Sequence, residues 1–277
     1  MNEISSYIEK SKEILNAVAA QEKQIEAAAE LFSTTILNGR MVHVFGSGHS
    51  RIMVEEMWPR YGSFPGFNPI VELSLTFHNL VVGANGQRQA MFLENVSGLA
   101  ERILRNYKLS DKDTALVISS SGTNIVPVEI AEAFQKQGIK VVSIITKKHS
   151  LASKSKREDG KKLSDFSDVV LDTGAPIGDA MIEIDQLPTP VSPGSTLGGV
   201  AIINCIKARV AGILTAAGQP PTVLSAANTV ALPNNPAMSA VAKPTACNFF
   251  ILSPYLVIVG SCTRPSLMTA MAIEADF

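Results

Sequence analysis

Two short segments of the 277-residue chain combine glycine with small hydroxyl residues in a pattern suited to an anion. The first, Gly46-Ser47-Gly48-His49-Ser50, follows the apolar run at 42–45 and passes into a helical pattern at Arg51. The second, Ser119-Ser120-Ser121-Gly122-Thr123-Asn124, follows the run at 114–118 and leads into a helical pattern over 126–137, with Pro127 in its first turn. In each, a strand ends where backbone N–H groups and hydroxyls collect and the next helix aims its positive dipole end. Hydroxyls in this number suit a phosphate monoester held without a metal.

Either loop alone would read as an ordinary turn that caps a helix. Arg51 stands where a dinucleotide fingerprint needs its third glycine, and no GxxxxGK[ST] sequence occurs. These patterns argue against a Rossmann cofactor and against P-loop hydrolysis.

The elements around the loops explain why the two would meet. Residues 3–37 carry an apolar stripe through Ile14, Val18, Ile25, Ala29 and Phe32 and read as one helix or two, stopped near Gly39. Strands are expected at 42–45, 69–73, 114–118, 140–146 and 168–171, with helices at 51–58, 88–106, 126–137 and 196–217. Strands alternating with helices and no hairpin signal predict an α/β fold, a five-stranded parallel sheet sandwiched between helices. In the flavodoxin-like order 2-1-3-4-5 the sheet reverses between strands one and three, where ligands bind. The two serine-rich loops follow those two strands.

The lysine-rich stretch 154–162 reads either as a basic lip for an acidic ligand or, by preference, as a solvated loop. Segment 178–194 is a polar excursion. With 24 basic and 25 acidic residues the net charge is -1, so no general attraction to nucleic acid or membrane is expected. Three cysteines without metal-ligand spacing suit a reducing compartment and a cytoplasmic location. The first residues do not read as a signal peptide, and the most apolar window, 249–260, is too short to span a bilayer. Neither a metal nor a cofactor is expected.

Taken together, HVFGSGHS, VISSSGTNIVPVEIA, VVSIIT with KKHS, GAPIGDAMIEI and VSPGSTLGG resemble the SIS (sugar isomerase) domain family. The likeness is greatest to a largely bacterial branch labelled as phosphosugar or phosphoheptose isomerases. It runs from near the N-terminus to about Asn228. It implies a three-layer α/β/α fold, a phosphorylated sugar as ligand, and a homodimer or higher homo-oligomer. Carried onto this sequence, the phosphate would be held by Ser119, Ser121 and Thr123, with Gly46, Ser47 and Ser50 on the facing loop. Gly48, His49, Ser120, Gly122, His149 and Asp179 complete the expected binding set.

Such a site in the same family serves isomerases, an etherase or lyase acting on amino-sugar phosphates, and non-catalytic sensors, so the fold does not choose among them. Aldose to ketose isomerisation moves a proton between adjacent carbons through an enediol and needs a base poised near neutral pH. The candidates are Glu72 at the end of the second strand, Glu56 on the helix after the first loop, and His49, His78 and His149 in loops. Glu56 also reads as an i,i+4 partner of Arg60, and His43, inside a strand, reads as a packed residue.

The expected organisation is a helical segment at 1–40, the phosphosugar-binding domain at 41–228 and an atypical tail at 229–277. Beyond Arg209 the only charged residues are Lys243, Arg264, Glu274 and Asp276.

Overall fold

A computed structural model of the chain describes residues 2–76 and 86–225. His78 and the segment 229–277 lie outside the described residues.

Five parallel strands form the sheet: β1 (Val42–Gly46), β2 (Phe67–Ile70), β3 (Thr114–Ile118), β4 (Lys140–Ile145) and β5 (Val169–Asp172). Their order is β2-β1-β3-β4-β5, the expected 2-1-3-4-5 arrangement. Every residue of β1 and β3 is buried, because helices cover both faces. Alternate side chains therefore enter separate cores. Val42, Val44, Leu116, Ile118, Val142 and Ile144 face one side. Phe45, Ala115, Val117 and Val141 face the other.

The first core is closed by α1 (Glu3–Ala19), α2 (Glu22–Leu37), α3 (Arg51–Met57) and α8 (Ser195–Ala216). The N-terminal stripe thus forms two helices. Gln21, between them, turns its amide onto the sheet edge, accepting from Asp172 N–H at 2.7 Å and donating to Asp172 C=O at 2.7 Å. By length and composition α8 is apolar enough to cross a membrane. Its packing accounts for that character, since Gly198, Ile202, Ile203, Ile206 and Val210 are buried against the sheet and its helices.

The second core lies under α4 (Gly86–Leu93), α5 (Leu99–Leu104) and α6 (Ile125–Lys136), and α7 (Lys147–Ala152) follows β4. One helix expected over 88–106 is instead the pair α4 and α5. Gly98 adopts a left-handed φ of 82°, and Glu129 of α6 fixes the break by accepting from Ser97 Oγ at 2.5 Å and Gly98 N–H at 2.9 Å. Strand β2 ends at Ile70, three residues short of the expected end at 73, and a 3-10 turn, Leu73–Leu75, follows.

The polar excursion at 178–194 contains a hairpin that the sequence does not signal. Strands β6 (Ala180–Ile182) and β7 (Val191–Pro193) pair antiparallel. Met181 and Ile182 pack on Ile14 of α1 and on Ala175.

Candidate functional site

Both serine-rich loops leave the carboxyl ends of adjacent strands, β1 and β3, at the point where the sheet order reverses. Between them lies a cavity of about 260 Å³. Ser47, Gly48, His49, Ser50, Ser119, Ser120, Ser121, His149 and Asp179 line it, together with Met53, Met91, Glu94, Asn124, Ser195 and Thr196.

The first loop is tight because Gly46 has no side chain. A Cβ there would stand 2.7 Å from the Ser50 carbonyl oxygen, so the 3-10 turn Gly48–Ser50 could not fold back over the strand end. In the second loop, Ser121 Oγ accepts from Thr123 Oγ1 at 3.0 Å and from Thr123 N–H at 3.3 Å. This arrangement leaves the Ser121 proton to donate. Ser120 Oγ lies 3.0 Å from Thr146 Oγ1, and Ser119 Oγ accepts from Gly122 N–H at 3.3 Å. Gly46, Gly122 and Thr123 shape the loops from beneath the cavity lining. No side chain caps the N-terminus of α6, because Asn124 Oδ1 instead accepts from Lys156 Nζ at 2.5 Å.

Asp179 occupies the cavity wall with a left-handed φ of 73°. Its carboxylate accepts from Ser195 N–H at 2.7 Å, Ser195 Oγ at 2.8 Å and Gly194 N–H at 3.1 Å. It therefore caps α8 and compensates that helix's positive end. Anion-binding capacity is left with the second loop and α6. His149 Nδ1 accepts from Gly178 N–H at 3.1 Å, which places the proton of the neutral ring on Nε2.

The carboxylates expected as bases sit elsewhere. Glu72 caps the turn at Leu73–Leu75, accepting from Ser74 Oγ at 2.6 Å and Ser74 N–H at 3.1 Å. Glu56 pairs with Arg60 and accepts from Asn204 Nδ2 at 2.8 Å, and Lys207 Nζ lies 3.7 Å away. Burial alone would raise the Glu56 carboxyl, but the bonds from Asn204 and Arg60 and the Lys207 charge hold it below its ordinary range. Both are correctly placed to bind their neighbours, and neither lines the cavity.

Glu94 does line it, and sequence pattern does not single it out. Its backbone N–H continues the turn of α4 to Ala90 C=O at 3.0 Å, and its C=O accepts from Val126 N–H of α6 at 2.9 Å. Its carboxylate accepts from Ser47 Oγ at 2.9 Å. Burial pushes its pKa up, and the Ser47 bond and the Lys156 charge pull only partly against that. A carboxyl raised in this way and held beside a hydroxyl-lined cavity has the properties of a proton-transfer group.

His43 is a packed residue, as its strand position predicts. It stacks on Phe134 at 6.0 Å, accepts from Asn68 Nδ2 at 3.0 Å and lies 3.2 Å from Asp113 Oδ2. Among the described residues, no group of three or more His, Cys, Asp or Glu is placed to hold a metal ion.

Residues 6–146, just over half of the chain, match the model of the SIS domain. The chain belongs to the SIS-domain family. The matched stretch includes both serine-rich loops and Glu94, while His149, Asp179 and Ser195 follow it in this SIS protein. A UPF0309 protein of Halalkalibacterium halodurans is 33% identical over 208 residues, covering 75% of this chain and 84% of that relative. A UPF0309 protein of Geobacillus kaustophilus is 31% identical over 224 residues, covering 80% and 87%. Among solved structures, the phosphoheptose isomerase of Francisella tularensis aligns with a TM-score of 0.49 at 15% identity, covering 75% of this chain and 95% of that one. That of Neisseria gonorrhoeae aligns with a TM-score of 0.47 at 14% identity, covering 76% and 97%.

Proposed function

We propose that this SIS protein binds a phosphorylated sugar between its two serine-rich loops and isomerises it between aldose and ketose forms. The observation that carries this reading is the Glu94 carboxylate, held by Ser47 in the same small cavity as Ser121 and the N-terminus of α6. The phosphate accepts from Ser121, from the loop N–H groups and from the open end of α6. Glu94 takes the proton from the carbon beside the carbonyl and returns it to the neighbouring carbon. His149, with its proton on Nε2, donates it to the carbonyl oxygen as the enediol forms and takes one back from the neighbouring hydroxyl as the new carbonyl forms.

Glu94 replaces Glu72 and Glu56 as the base in this reading, because it alone of the three lines the cavity. The homo-oligomer implied by the family resemblance remains part of it, supported by Ile4, Ile8 and Leu15, which stand exposed along α1.

The test is exchange of the sugar C2 proton with deuterated solvent, followed by NMR across a panel of sugar phosphates and their unphosphorylated counterparts. Exchange that requires the phosphate and disappears in Glu94→Gln, with binding retained, is the expected result. Phosphate-dependent binding without exchange would replace the isomerase with a sensor.

A further inference from the structure

The lysine-rich loop is not simply solvated. Arg157 is tied to Glu132 at 2.9 Å and to Asp159 at 2.7 Å, Lys161 lies over the Phe166 ring at 5.1 Å, and Lys162 Nζ donates to Ser150 C=O at 2.6 Å. These contacts fold the loop back onto the domain. They leave Lys156 at the mouth of the cavity, where its N–H donates to Thr123 C=O at 3.3 Å and its ammonium rests on Asn124 Oδ1, itself part of the lining.

We propose that Lys156 is the cation that recognises the phosphate of the ligand, its ammonium exchanging Asn124 for a phosphate oxygen at the N-terminus of α6. This inference rests on the phosphosugar reading and deepens it. The hydroxyls and N–H groups of the second loop carry no net charge, whereas a phosphate monoester carries nearly two negative charges at neutral pH. Lys156 supplies the charge that separates such a ligand from the neutral sugar. Four freely rotating side-chain bonds let the ammonium reach from Asn124 to the phosphate without movement of the loop, which is pinned by Arg157 and Lys162.

The same ammonium acts on Glu94, whose carboxyl it helps to draw down. A bound phosphate neutralises that charge, so Glu94 becomes more basic once ligand is present. Lys156 thereby links arrival of the phosphate to readiness of the base.

The experiment is calorimetric titration with inorganic phosphate at low and high salt, using the full chain and the variants Lys156→Ala, Lys156→Arg, Lys154→Ala and Ser121→Ala. Lys156 is exposed, so its replacement leaves the core intact. Wild-type protein and Lys154→Ala are expected to bind alike, with affinity falling as salt rises. Lys156→Ala should bind about tenfold more weakly and lose most of the salt dependence, and Lys156→Arg should recover part of the affinity. Equal binding by wild type and Lys156→Ala would overturn the role of Lys156 while leaving the phosphosugar reading intact. Loss in Lys156→Ala with none in Ser121→Ala would place the phosphate outside the cavity and overturn it too. No binding by the wild type would remove both.

Discussion

The hydroxyl of Ser47 donates to the carboxylate of Glu94 at 2.9 Å, joining the first loop to a residue 47 positions further along the chain. This bond favours the ionised carboxylate and opposes the burial that raises its pKa. Ser47→Ala removes the larger part of the opposition and leaves only the Lys156 charge, so the Glu94 pKa should rise further. A base works only when ionised, and the acidic limb of the pH–rate profile should therefore move to higher pH in the variant. An unchanged limb would show that Glu94 is not the group being titrated.

Ser121 has its proton left to donate because both contacts from Thr123 are ones it accepts. A hydrogen bond to a charged group contributes about 1.5–3 kcal/mol, so Ser121→Ala should weaken binding of a sugar phosphate by roughly ten- to a hundredfold. The unphosphorylated sugar should bind the variant and the wild type alike, and competition titration measures both.

Gly46 shapes the first loop through a close approach rather than a special backbone angle. In Gly46→Ala the new Cβ would meet the Ser50 carbonyl oxygen at 2.7 Å, and backbone cannot swing away as a side-chain tip can. The expected result is loss of phosphate binding together with a lower melting temperature. A variant with wild-type binding would show that the turn at Gly48–Ser50 does not form part of the site.

At the opposite end of the sheet, burial holds the His43 pKa below its ordinary value, with Asp113 acting against the shift. The unfolded chain therefore takes up a proton at His43 before the folded chain does. Stability should fall as pH drops below about 6.5 and continue to fall until the folded-state pKa is reached. The melting temperature should be lower at pH 5.5 than at pH 7.5, and the difference should shrink in His43→Asn.

Burial by itself would raise the Asp113 carboxyl, but bonds from Arg40, His43 and the N–H groups of Ser110 and Met41 outweigh it and leave the pKa lowered. Asp113→Ala removes the acceptor shared by the buried His43 and the more exposed Arg40, Ser110 and Met41 donors. Its cost should be about 3 kcal/mol in urea denaturation, with ligand binding unchanged because the network lies away from the cavity.

The central strands were legible because they are buried on both faces and so read as nearly continuous apolar runs, each ending in a polar turn. Burial of all five residues in both β1 and β3 is the structural counterpart of VHVFG and TALVI. Glu94 was not legible, for a reason visible in its neighbours. Met91 and Phe92 continue the apolar period of a single long helix, yet Phe92 is 70% exposed and the helix breaks before Gly98. The break depends on Glu129, and the position of Glu94 depends on Val126, both contributed by a helix some thirty residues later.

Glu72 misled through a small displacement. With β2 ending at Ile70, the carboxylate turns to Ser74 and leaves the sheet edge. The hairpin of β6 and β7 was hidden by its size, since three-residue strands carry too few alternations to register as a pattern.

The bond from Val126 N–H to Glu94 C=O ties the backbone of the carboxylate proposed as the base directly to the end of α6 proposed to hold the phosphate. On the proposed reading the site is in effect a ruler, with one mark at the phosphate and the other at the reacting carbon. Sugar phosphates one carbon shorter or longer than the true substrate should dock at the first mark and miss the second, occupying the protein as inhibitors rather than turning over.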